Sequence, residues 1–129
     1  MTDIQRFLLP DEMEPVSHYC HVTRAGDRVW VSGTVGVRAD GSIPEDTAEQ
    51  FQVAMDAVDR CLKAAGAEAR HVVKVTVYLT DINDRAAINP IRQAYFGENR
   101  PASTLFEVSA LVSPEMKVEI ECEAIVTDG

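Results

Sequence analysis

The chain has 129 residues, 46% of them hydrophobic and 26% charged, with a formal net charge of −9. That is the size and balance of a single globular domain covering 1–129, and it excludes disordered and fibrous classes. An acidic surplus with no Lys/Arg cluster argues against nucleic acid, and a chain with no apolar run near ~18 residues and no basic-then-apolar start in Met1 to Arg6 is expected to be cytoplasmic, with no membrane partner.

Ile4 to Leu8 is a short apolar run stopped by Pro10, an expected edge strand. After a polar loop, Cys20 to Thr23 and Arg28 to Gly33 flank the turn Ala25-Gly26-Asp27 and predict a β-hairpin. Gly36 to Pro44 reads as a loop. Thr47 and Gln50 have capping-box spacing, and Phe51, Ala54, Met55, Val58, Leu62 and Ala65 repeat at helical intervals as far as Lys63 and Gly66. Val72 to Leu79 predicts a central strand, with Val73, Val75, Val77 and Leu79 on its apolar face. Asp81 to Asp84 precedes a second helix with Ala87, Ile88, Ile91 and Tyr95 at core spacing, ended by Phe96-Gly97. Pro90 leaves two alternatives: a helix that starts there with Asn89 as its cap, or a kinked one.

The last block holds two strands. Leu105 to Val108 follows Pro101-Ala102-Ser103-Thr104, and Lys117 to Val126 follows a loop through Ser113-Pro114. In the second strand Val118, Ile120, Cys122, Ala124 and Val126 fall on one face, and Lys117, Glu119, Glu121 and Glu123 on the other. Three carboxylates in a row repel one another, so that face is either solvated or a site. The element order predicts an α+β fold, a mixed sheet with both helices on one face. Cys20, Cys61 and Cys122 have no CxxC spacing and leave one cysteine over, as suits reduced thiols. His18, His21 and His71 lack metal-ligand spacing, so neither metal nor cofactor is expected.

The order Pro-Ala-x-Ser/Thr, a strand ending Glu-Val, a loop, and Lys-hydrophobic-Glu-hydrophobic-Glu resembles the C-terminal signature of the RidA/YjgF-like enamine and imine deaminases. A tyrosine before a hairpin closing on Ser32-Gly33 resembles their N-terminal half. The resemblance implies a chorismate-mutase-like fold, a homotrimer with a barrel-like centre, and small-molecule sites in the clefts between subunits. It implies a water-holding catalytic role for Glu119 and pocket positions for Tyr19, Ser32 and Asn89, with Ser103, Thr104 and Leu105 as substrate contacts. Read from spacing alone, the glutamates are a solvated row balanced by Lys74, Lys117 or an arginine of another subunit, Tyr19 a packed loop residue, Ser32 a turn former and Asn89 a helix cap.

One position departs from the family pattern. Ser103 stands where well-characterised members carry the arginine that grips the substrate carboxylate, and losing such a two-pronged contact removes roughly 1.5–3 kcal/mol. The sequence therefore predicts a hydrolytic deaminase whose enamine or imine substrate is not the usual 2-aminoacrylate, with Arg100 a conceivable replacement three residues away. The alternative reading is a non-catalytic trimeric small-molecule-binding or accessory protein that uses the same cleft. Some relatives carry a ribonuclease label, to which the acidic charge lends no support.

Overall fold

The computed structural model describes residues 3–128, so Met1 and Thr2, part of the segment read above for a secretion signal, lie outside it, as does Gly129. The elements in chain order are β1 (Ile4–Phe7), β2 (Val22–Ala25), β3 (Arg28–Val35), α1 (Thr47–Ala64), β4 (Val72–Leu79), α2 (Arg85–Phe96), β5 (Ala102–Glu107) and β6 (Val118–Ile125). The strands form one sheet in the order β1-β2-β3-β6-β4-β5, antiparallel throughout except for the parallel pair β4 and β5. No helix among the described residues is long and apolar enough to cross a membrane.

One face of the sheet carries the core. Val29, Val31, Val75, Val77, Leu79, Val118, Ile120 and Cys122 pack in a single cluster with Phe51, Met55, Val58 and Leu62 of α1 and Ile88 and Phe96 of α2. Both helices therefore lie on that face, as the periodicity predicts. The expected barrel-like centre is absent. Closing a barrel requires the terminal strands to pair, whereas among the described residues β1 bonds only to β2 and β5 only to β4, which leaves the sheet open.

Several local expectations are also corrected. Asp46 caps α1, its side chain accepting the Glu49 backbone N–H at 3.1 Å. The Thr47 hydroxyl instead donates to Asp84 Oδ2 at 2.7 Å, and Gln50 is fully buried. The hairpin strand begins at Val22, not Cys20, and its turn places Gly26 at φ 62°, a conformation that glycine adopts without steric cost. Pro90 lies inside α2, so Asn89 is a mid-helix residue and not a cap. Val72 is buried and Val73 exposed, because β4 shifts register against β6 between Val72 and Lys74. The last block does contain two strands, and β4 runs between them.

Candidate functional site

Alternation along β6 buries Val118, Ile120, Cys122 and Ala124 and turns Glu119, Glu121 and Glu123 to the open face. The start of that strand is held by Gln50. Its amide nitrogen donates to the carbonyls of Pro44 (2.7 Å) and Glu115 (2.9 Å), and its oxygen accepts from the Lys117 N–H (2.9 Å). A helix residue thus ties down the loop two residues before Glu119.

Next to β6, β3 shifts register between Val31 and Thr34, so Ser32 and Gly33 sit in a bulge beside Glu119. A Cβ at position 33 would lie 2.0 Å from Glu119 Oε2, so any side chain there would push the carboxylate out of this position. The Ser32 hydroxyl donates to the Cys20 carbonyl at 2.6 Å, which spends its proton and leaves its oxygen to accept.

The wall opposite is the loop between β1 and β2. His21 clamps it at two points: Nδ1 accepts from Leu9 N–H (2.9 Å), which requires the proton on Nε2, and Nε2 in turn donates to the Met13 carbonyl (2.8 Å). Arg60 of α1 adds a paired contact to Glu12. The result is a cavity of about 320 Å³ lined by Met13, Val16, Tyr19, Val112 and Met116 together with Ser32, Gly33 and Glu119.

Glu119 is the carboxylate that lines this cavity. Burial, and then the Glu121 carboxylate, push its pKa above the ordinary value. No hydrogen bond or ion pair neutralises it among the described residues. The lysines proposed to balance the row are occupied elsewhere: Lys74 donates to Thr104 Oγ1 (2.7 Å) and Lys117 to the Glu45 carbonyl (2.5 Å). Glu121, by contrast, accepts from the Tyr78 hydroxyl at 2.5 Å, which holds that phenol protonated by raising its pKa to about 12.

The other expected residues lie elsewhere. Asn89 and Leu105 line a separate groove of about 850 Å³ between α2 and β5, whose wall also carries Arg85, Arg92 and Arg100. Leu105 pairs with core-facing Val77, while Thr104 pairs with Thr76 and meets Lys74 on the open face. Ser103 therefore shares the helix side with Leu105, and its hydroxyl accepts from Arg92 Nη2 at 2.7 Å. Six of the expected residues form two clusters, Tyr19, Ser32 and Glu119 on one side of the sheet and Asn89, Ser103 and Leu105 on the other, and Thr104 stands apart with Lys74. Sequence reasoning missed Gly33 as Glu119's seat, and it missed Arg92. The signal for Arg92 is the spacing Arg85, Asn89, Arg92, which puts all three on one face of a helix.

Residues 10–126 match the family described as Endoribonuclease L-PSP. A RutC family protein of Pyrococcus abyssi is 38% identical over 114 residues, covering 87% of each chain. The 2-iminobutanoate/2-iminopropanoate deaminase of Rattus norvegicus is 33% identical across 100% of this chain and 95% of its own. The crystal structure of Rv2704, a YjgF/YER057c/UK114 family member from Mycobacterium tuberculosis, superposes with a TM-score of 0.85 at 31% identity, covering 96% of this chain and 100% of that one. The chain thus belongs to the RidA/YjgF/UK114 family of enamine/imine deaminases.

Proposed function

We propose that the protein hydrolyses a reactive enamine or imine to a carbonyl compound and ammonia. The observation that carries this reading is Glu119: a half-buried carboxylate without a counter-ion among the described residues, its pKa raised, on the wall of a mostly apolar cavity. Such a group holds a proton more readily than an ordinary carboxylate and can both take and return one.

In the proposed reaction Glu119 accepts a proton from water as the water oxygen bonds to the C=N carbon and the π electrons move to nitrogen. The proton then passes to that nitrogen, giving a carbinolamine. Glu119 then takes the hydroxyl proton and returns it to the nitrogen as the C–N bond breaks, so that ammonia departs and a carbonyl remains. Tyr19 and the apolar side chains wall the cavity, and the Ser32 oxygen accepts a hydrogen bond. β5 is an edge strand, whose outward backbone groups near Thr104 and Leu105 are free to meet a ligand oxygen.

The two clusters lie on opposite faces of one sheet, so a site using both takes them from different copies of a single-domain chain. We infer the homotrimer of the family on that ground. The serine at 103 withholds the usual arginine from β5, so substrate anchoring falls to other side chains of the groove.

The test is ammonia release from imines made in situ by amine and amino-acid oxidases. Glu119→Gln is expected to lower kcat/KM at least ~100-fold, the usual worth of a general acid–base. A panel hydrolysed no faster than in buffer would overturn the reading. A ligand that binds equally well to Glu119→Gln in an inactive wild type would favour the binding-protein alternative.

A further inference from the structure

Ser103 by itself predicts a substrate without a carboxylate, yet a guanidinium stands at that spot. Arg92 reaches across from α2 and donates through Nη2 to the Ser103 hydroxyl at 2.7 Å. This contact spends one of five donors, and the planar fork leaves the others for a ligand.

Arg92 is half-buried, and that burial lowers its pKa. No carboxylate pairs with it among the described residues. The ion pairs recorded there go to Arg38, Arg60, Lys63 and Arg70. A partly desolvated guanidinium left unpaired in a chain with 21 acidic residues runs against the rule that buried charges find partners. Arg85 and Arg100 line the same groove, also without an ion pair among the described residues, and they add to its positive field. Asn89, one turn before Arg92, supplies a neutral donor on the same helix face.

We propose that Arg92 is the substrate-anchoring residue, its guanidinium gripping a carboxylate while Ser103 holds it in place, so that the substrate class is imines that carry a carboxylate beside the C=N carbon. The serine is then half of a relocated anion site, its hydroxyl steadying the guanidinium. The carboxylate would lie in the groove between α2 and β5 and the imine carbon toward Glu119 of a neighbouring copy, so the reaction part of this inference rests on the deaminase reading above.

The experiment separates the two. Pyruvate, the carbonyl product of such an imine, and its uncharged methyl ester are titrated calorimetrically into wild type, Arg92→Ala, Arg92→Lys and Ser103→Ala. Hydrolysis of 2-iminopropanoate generated from alanine is followed in parallel. Wild type is expected to bind pyruvate at least ~10-fold more tightly than the ester, and Arg92→Ala to lose that preference by about the same factor, as removal of a charge-assisted pair predicts. Affinity for the ester should be unchanged in every variant, and the effect on 2-iminopropanoate should fall on KM rather than kcat. Arg92→Lys, which keeps charge but not the fork, should fall between, and it serves in place of the alanine variant should that one not fold. Ser103→Arg is expected to bring no gain.

Equal affinity of wild type for pyruvate and its ester, or pyruvate affinity that survives loss of Arg92, overturns the assignment whatever the turnover. Pyruvate bound through Arg92 with no hydrolysis by wild type upholds the carboxylate site and removes the deaminase reading alone.

Discussion

A carboxylate half withdrawn from water beside a second acid makes folding pay for function, and Glu119 is such a group. Its folded-state pKa is raised, so the protonated form is relatively favoured in the native state. The associated stability is fully present below the unfolded carboxyl pKa near ~4.3 and is lost as pH rises through the folded value. Glu119→Gln, which removes the charge and keeps the shape, is therefore expected to melt higher than wild type at pH 7.5. Thermal melts from pH 4 to 8 should show the gap closing toward the acid end, and a gap that widens there would contradict this account. The deaminase rate should follow the base form, with its acid limb above the ordinary carboxylate range. The alternation of β6 made Glu119 and its neighbours legible. The meeting of Arg92 with Ser103 was not, because the two lie on different elements and no periodicity links them.

At the scale of elements, the loop before β6 depends on Gln50, which spacing alone assigned to a capping box. Its three bonds join α1 to Pro44, Glu115 and Lys117. Gln50→Leu keeps the volume but strands two carbonyls and an N–H, so urea titration should show a loss of about 2–4 kcal/mol. Turnover should fall further than the unfolded fraction accounts for, since Glu119 then sits on a loosened strand. The helices and β6 could be read from their repeats. The register shifts in β3 and β4 could not, because a bulge is chosen by its partner strand. Pro90 is tolerated inside α2 although proline disfavours that place; core contacts from Ile88 and Phe96 on either side override the local preference.

For the whole molecule, the decisive feature is that the sheet separates Glu119 from Arg92 and Leu105. If neighbouring copies complete each site, Glu119→Gln and Arg92→Ala lack different halves. Unfolding and refolding the two impaired variants together should then restore activity at low substrate concentration, with about a quarter of the sites intact in randomly mixed trimers. Activity assay alongside light scattering checks this, and no recovery in mixed oligomers would place both halves in one chain. The open face also bears Trp30 and the stacked Tyr78 and Phe106, with ring centroids 6.1 Å apart, apolar surface that a second copy would cover.

The sequence by itself determined what repeats locally: an amphipathic helix, the core and acid faces of β6, a mixed α+β order, and a family signature around Ser103. Only the tertiary structure decided that β4 parts β5 from β6, that the sheet stays open, and that a guanidinium from α2 meets the serine. The physical reason is that side-chain period is a property of a few adjacent residues. Strand order and the meeting of Arg92 with Ser103 depend on which distant segments pack together, and that is settled by burial of the whole core.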